Sequence, residues 1–100
     1  CLIGHSHMPL CFICSTDGSC SVSELGTETR LGNKSNRLII NPGGVGQPRD
    51  GDSRASYAIY DAEAGVLRHY RVPYDIVSVQ QKMAEAGLPE HLAMRLSYGW

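Results

Sequence analysis

Two histidines near the start of the chain are the residues best suited to chemistry. His5 and His7 stand in the string Gly4-His5-Ser6-His7, directly after the apolar residues 1–3. Side chains two positions apart on an extended segment project to the same side, so both imidazoles can reach one metal centre. Neutral imidazole is a ligand for Zn, Mn, Fe or Ni, and sites are commonly built in loops at strand ends. The alternative is a pair of histidines exposed on a turn without a function.

The four cysteines offer a second possible site. Cys1, Cys11, Cys14 and Cys20 all lie in the first fifth of the chain, and Cys11 and Cys14 have the Cys-x-x-Cys spacing found in metal sites. Residues 9–14 are predicted to form a buried strand, in which positions three apart face opposite sides, so the two thiols should diverge. Nothing in the sequence indicates secretion, and reduced cysteines are then the default. We therefore expect reduced cysteines that act as small buried apolar side chains.

Composition and charge exclude several classes of protein. The chain has 100 residues, of which 42% are hydrophobic, and a formal net charge of -1. This composition indicates one small folded domain rather than a disordered tail. A nucleic-acid or membrane-surface binder needs a concentrated basic face, which a nearly neutral chain does not offer. No apolar run approaches the roughly 20 residues of a membrane span. Because apolar sequence begins at once, at Cys1, we expect a piece of a longer protein.

The apolar pattern predicts strands followed by helices. Short strands are expected at residues 1–3, 10–14, 37–40, 55–60 and 66–72, with a weaker one near 21–25. The last two strong strands should form a hairpin around Gly65. Asp75 is then expected to cap a helix over 76–86 with one apolar face, and Gly87 should end it. Pro89 can begin a final short helix.

The histidine string and several later segments resemble those of one enzyme family. Gly4-His5-Ser6-His7 after an apolar strand resembles the Gly-His-x-His motif of calcineurin-like metallophosphoesterases. Residues 37–49, which end in Val-Gly-Gln-Pro-Arg, resemble the strand and Asn-Pro-Gly segment of the YfcE-like and ApaH-like bacterial branches. Residues 72–75 and 86–89 resemble the way those proteins end. The resemblance covers nearly the whole chain except residues 15–36.

This resemblance implies an α/β fold, the C-terminal part of a four-layer α/β/β/α sandwich in which two mixed sheets are flanked by helices. Residues 1–100 would be the C-terminal portion of a single domain whose N-terminal, metal-binding half is absent. The parent protein would be a cytoplasmic, metal-dependent hydrolase of phosphomonoesters or phosphodiesters, using a water activated at a dinuclear metal site. Its partner would be a small phosphoester or a nucleotide, with neither a membrane nor a nucleic-acid surface involved.

The resemblance also implies roles for individual residues. His5 would ligate one of two divalent metal ions and His7 the other, the ions being Mn, Fe, Ni or Zn.

Apart from the resemblance, backbone N–H groups of Gly43 and Gly44 could help to line the phosphate pocket, as glycine-rich turns can, and Arg49 and Arg54 could contact a substrate phosphate. A tight structural turn and an ordinary solvated loop are the simpler explanations of these residues.

The family's other metal ligands precede its Gly-His-x-His motif, and only four residues precede His5. Gly51-Asp52 follows the motif, so the order excludes it as the family's bridging acid, and Gly32-Asn33 likewise comes too late. A catalytic metal normally has three or more protein ligands. This chain by itself is therefore expected to be inactive.

A non-enzymatic alternative stays open at this point. The chain could be a small module in which His5 and His7, with one or two of Cys1, Cys11 and Cys14, hold a structural zinc ion. Such a site would be tetrahedral and closed, and would bind zinc tightly in the isolated chain.

The remaining two histidines are assigned no role. His69 alternates with Leu67 and Tyr70 in a strand and is predicted to face solvent. His91 opens a helix and is also predicted to be exposed. The arginines of the loop 49–54 are expected to be neutralised by the aspartates of the same loop.

Overall fold

The structure, a computed structural model, describes residues 1–32 and 35–100. Asn33 and Lys34 lie outside the described residues, and with them the interpretation of the Gly32-Asn33 string. The described part contains, in order, β1 (Pro9–Ser15), β2 (Cys20–Glu24), β3 (Glu28–Arg30), β4 (Asn36–Pro42), β5 (Ala55–Asp61), β6 (Val66–Val72), α1 (Ile76–Glu85), α2 (Glu90–Met94) and a 3₁₀ helix (Arg95–Ser97). The predicted α/β class, with strands first and helices last, is confirmed.

The strands form two antiparallel three-stranded sheets. The first sheet has the order β2-β1-β4, and the second has the order β3-β6-β5. The predicted strand at residues 1–3 is reduced to an isolated parallel bridge between Leu2 and Ile40. The Ile3 amide donates to the Ile40 carbonyl at 2.9 Å. The start of the chain is thus attached to the edge of the first sheet.

The hydrophobic core lies between the two sheets. Cys11 of β1 and Ile40 of β4 meet Leu67 of β6 and the loop residue Leu25, and all four are buried. Full burial of a side chain such as Leu67 stabilises the fold by about 1.5–3 kcal/mol. Since β1 and β4 both contribute to this core, their shared end is a fixed platform for the segments attached there.

The C-terminal helices begin and end as their cap residues predict. The Asp75 side chain accepts a hydrogen bond from the Ser78 amide at 3.0 Å, and Gly87 has a φ of +69° just after the helix. No residue of α1 is fully buried, whereas Leu96 of the 3₁₀ helix is. None of the helices in the described ranges is long and apolar enough to cross a membrane.

The cysteines differ from the expectation of reduced, buried side chains at three of four positions, Cys1, Cys14 and Cys20. The hairpin register places Cys14 directly opposite Cys20, and the two form a disulfide. The expectation of reduced cysteines is therefore wrong for this pair, because the antiparallel pairing of β1 with β2 places the two side chains directly opposite each other. Cys11 is a buried free thiol and Cys1 an exposed one. Cys11 and Cys14 diverge, as predicted.

Candidate functional site

The two segments that carry the predicted site residues meet at one end of the first sheet. Pro9, the first residue of β1, is the register partner of Pro42, the last residue of β4. The histidine motif, Gly4–His7, lies just before β1. The glycine turn, Asn41–Gly44, lies at the end of β4. The pairing of β1 with β4 therefore brings the motif and the turn together.

The backbone of the histidine motif is not extended, so that part of the prediction is wrong. His5 has a φ of +76° and His7 a φ of +60°, whereas Gly4 is not in this region. Left-handed backbone costs a residue other than glycine roughly 1–2 kcal/mol, although histidine adopts it more readily than branched residues. Two such residues in one short segment need contacts elsewhere that hold them in place.

Asn41 provides these contacts. Its side chain is 1% exposed, and its amide nitrogen donates to the Gly4 carbonyl at 3.0 Å and to Ser6 Oγ at 2.8 Å. Its Oδ1 accepts from the Gly43 amide at 3.0 Å. Both amide hydrogens and the oxygen are thus used, and one buried side chain joins the glycine turn to the histidine motif. Sequence reasoning missed Asn41, although a polar residue at the end of a buried strand was the signal.

The His7 ring is oriented from two sides. Its Nδ1 lies 2.7 Å from the Gln47 carbonyl oxygen. A carbonyl only accepts, so Nδ1 carries the proton and the Nε2 lone pair of the neutral ring is free for a metal ion. Gly44 lies against the other side, where an added Cβ would be 3.1 Å from Nδ1. The His7 side chain is half-buried, and that of His5 is exposed.

The donor set suits a transition-metal ion but does not complete a site. Within residues 1–32 and 35–100, no group of three or more His, Cys, Asp and Glu side chains is placed to hold a metal ion. His5 and His7 can therefore serve only a site with further ligands. The alternative of a closed Cys/His zinc site gains no support, because none of the described cysteines is grouped with His5 and His7 and Cys14 is bonded to Cys20.

The acidic residues of the loop 49–54 pair with arginines, but not with the same two arginines as expected. Arg54 donates to both Asp52 oxygens, from Nε to Oδ1 at 3.0 Å and from Nη2 to Oδ2 at 2.6 Å. These hydrogen bonds from Arg54 lower the pKa of Asp52 to about 2. Asp50 forms its ion pair with Arg71 of β6. The aspartates thus neutralise Arg54, as expected, and Arg71, so the expectation is wrong for Arg49.

Arg49 has no carboxylate partner among the described residues. Its guanidinium makes one weak contact, from Nη2 to the Gln47 side-chain oxygen at 3.4 Å, and Gln47 is also the residue that orients His7. The amide of Gly43 already donates to Asn41. Arg49 is therefore better placed than Gly43 to contact an anion.

His69 points into the protein, so the prediction that it faces solvent is wrong. It is half-buried and shares a strand face with the buried Leu67, two residues earlier. Its Nε2 lies 2.6 Å from Ser56 Oγ. Burial lowers the pKa of His69, and the positive charge of Arg71 acts in the same direction. His91 is exposed, as predicted.

Comparisons with known proteins show that nearly the whole chain is similar to a part of each of two longer proteins. No family model matches. An uncharacterized protein of Methanocaldococcus jannaschii is 40% identical over 97 residues, which are 97% of this chain and 38% of that protein. The crystal structure of a metallophosphoesterase from Sphaerobacter thermophilus matches with 43% identity and a TM-score of 0.83. That match covers 100% of this chain and 42% of the other, so the chain spans about two fifths of the length of either protein.

Proposed function

We propose that this chain, which is similar in sequence and fold to part of a metallophosphoesterase, contributes metal ligands and a phosphate contact to a phosphoester hydrolase. The structural match confirms the resemblance to metallophosphoesterases, whereas the assignment to the YfcE-like and ApaH-like branches stays a prediction. The hydrolase activity belongs to the longer protein, with a phosphomonoester, a phosphodiester or a nucleotide as substrate.

The orientation of His7 carries this proposal. The hydrogen bond from Nδ1 to the Gln47 carbonyl fixes the tautomer that leaves Nε2 as a ligand. This is the arrangement in which a metal-binding histidine is usually supported by a carbonyl or carboxylate. His5, on the same strained segment, would give its imidazole to the second ion of a pair.

The other residues near the motif would act on the substrate. The metal pair, when bound, supplies the Lewis acidity that activates a water and the positive charge that stabilises the phosphoryl oxygens. Arg49, which has no carboxylate partner in the described part of the chain, would attract and orient the substrate phosphate. The missing side chain of Gly44 leaves room for the His7 ring, and backbone groups of Gly44 would help to line the phosphate pocket beside it.

The remaining ligands would come from sequence outside this chain. Each metal ion would receive one imidazole from His5 or His7, whereas a catalytic ion normally has at least three protein ligands. The relatives are more than twice as long as this chain, which leaves ample sequence for those ligands.

The experiment uses the natural polypeptide that carries this chain and measures hydrolysis of an aryl phosphate monoester and a diester with Mn²⁺, Ni²⁺ or Zn²⁺. His5→Ala and His7→Ala should each lower turnover by at least ~100-fold, the scale seen when one electrostatic stabiliser is deleted. Each variant should also lose about one of the two metal ions of the dinuclear site, because each imidazole serves a different ion. The unfolding midpoint of the metal-free protein should stay nearly unchanged in His5→Ala, because His5 is exposed. It should fall slightly in His7→Ala, which loses the hydrogen bond to the Gln47 carbonyl.

His91→Ala is the matched control, since His91 is exposed on a helix. It should keep turnover within a few-fold of the parent. Full activity in the His5 and His7 variants would overturn the proposal.

A further inference from the structure

A network of buried polar groups links His69 to the histidine motif, although the two lie far apart in sequence. His69 is on β6, in the second sheet. Ser56, on the neighbouring strand β5, is 2% exposed. The register pairs His69 with Ala58, so Ser56 and His69 are diagonal neighbours on the inward face. Their contact, at 2.6 Å from Nε2 to Oγ, reaches across the pair of strands.

The direction of each hydrogen bond in this network is fixed. Ser56 Oγ also lies 2.6 Å from the Pro42 carbonyl oxygen, which only accepts. The hydroxyl has one proton, and it therefore donates to Pro42. The remaining contact requires that His69 Nε2–H donates to Ser56 Oγ. His69 thus holds the hydroxyl in the orientation that serves the Pro42 carbonyl.

Ser56 forms hydrogen bonds to the glycine turn on both sides of Gly43. Its hydroxyl binds the Pro42 carbonyl, and its backbone amide donates to the Gly44 carbonyl at 3.0 Å. Gly43 lies so close that an added Cβ would be 2.6 Å from Ser56 Oγ. The turn is therefore held against β5 by contacts that only a small, hydroxyl-bearing residue can make there.

The glycine turn in turn holds the histidine motif. Asn41 binds Gly4 and Ser6, and Gly44 packs against the His7 ring. The left-handed conformations of His5 and His7 need such support. The contacts thus run without a gap from His69 through Ser56 and the turn to the motif.

We infer that Ser56 and His69 are positioning residues for His5 and His7: they fix the glycine turn, and through it the conformation in which the motif can ligate metal. The part of this inference that concerns metal binding rests on the proposed function. Its statement about the motif's conformation can be tested without metal.

The test measures amide hydrogen exchange in the metal-free natural polypeptide, followed by Mn²⁺ affinity. His69→Leu removes the donor at similar volume, and His69→Gln places an amide N–H near the same position. We expect exchange at the Ser6 and Gly43 amides to speed up at least tenfold in His69→Leu and less than threefold in His69→Gln. Mn²⁺ affinity should fall at least tenfold in the Leu variant only. Exchange in β2, which lies outside the network, should not change in either.

The control variant is His91→Leu, because His91 is exposed and outside the network. Ser56→Ala gives the same readout if His69→Leu does not fold. Unchanged exchange in the motif, or equal effects of Leu and Gln at position 69, would overturn the inference. Faster exchange in a polypeptide whose parent form binds none of Mn²⁺, Fe²⁺, Ni²⁺ and Zn²⁺ would support the positioning of the motif and refute the proposed function.

Discussion

Replacing Gly44 by alanine should weaken metal binding without unfolding the protein. An added Cβ would lie 3.1 Å from His7 Nδ1, 3.2 Å from Cγ and 3.3 Å from Cβ. Ordinary carbon contacts are about 3.5–4.0 Å, so the ring must move by roughly 0.3–0.6 Å. Gly44 does not have a positive φ, and alanine adds no backbone strain there. The effect therefore reports on the position of His7.

The size of the effect follows from the tolerance of a metal site. Ligand distances vary by only about 0.2 Å in well-formed sites, and disturbing a group that orients a ligand costs roughly 10–100-fold in metal affinity. We therefore expect Gly44→Ala to raise the Kd for Mn²⁺ or Zn²⁺ at least ~10-fold. The assay is calorimetric titration of the metal-free natural polypeptide, with thermal unfolding measured on the same samples.

Gly46→Ala is the matched control, because nothing lies within 4 Å of a Cβ at that position and its φ is not positive. It should bind metal as the parent does. A folded Gly44→Ala protein with a Kd within threefold of the parent would refute the assigned role of His7.

Three further outcomes are expected. Gly18→Ala and Gly43→Ala both place alanine at a positive φ, but only the alanine at position 43 clashes with Ser56. Urea titration should show that the free energy of unfolding falls by about 1–2 kcal/mol in Gly18→Ala and by about 1–3 kcal/mol more in Gly43→Ala. Equal losses would contradict the close approach of Gly43 to Ser56. The Arg54 hydrogen bonds that lower the pKa of Asp52 to about 2 should contribute stability above pH ~4 that is lost as the pH falls towards 2. Asp52→Asn should flatten this part of the unfolding profile, and an unaltered profile would exclude the ion pair as its source. The isolated chain of 100 residues should not hydrolyse an aryl phosphate; turnover near ~1 per second would mean that it holds a complete site.

The sequence predicted those elements whose signals are local. The hairpin of β5 and β6, the β1 strand and α1 with its Asp75 and Gly87 caps all follow from residues adjacent in the chain. β3 was missed, because its three residues are polar and exposed on two of three positions. It forms through pairing with β6, at the register of Glu28 with Arg68, which no local pattern encodes.

The sequence predicts His5 and His7 as metal ligands, which stays a prediction, but it does not predict the contacts that hold their segment in place. His5 and His7 are recognisable from type and spacing, but their left-handed backbone depends on Asn41, which lies 34 residues beyond His7 in the chain. The prediction that His69 faces solvent is wrong because it treats Leu67 and Tyr70 as residues of one strand face. The period of two along a strand puts His69 on the same face as Leu67, so this signal was present in the sequence.

The central claim is that His5 and His7 are ligands of metal ions, and the most direct measurement is anomalous diffraction from crystals of the natural polypeptide loaded with Zn²⁺ or Mn²⁺. The predicted result is two metal peaks, one bonded to a His5 nitrogen and the other to His7 Nε2, at about 2.0–2.1 Å for zinc. The Gln47 carbonyl should still accept from His7 Nδ1. Metal bound elsewhere in the protein, with both imidazoles uncoordinated, would contradict the account.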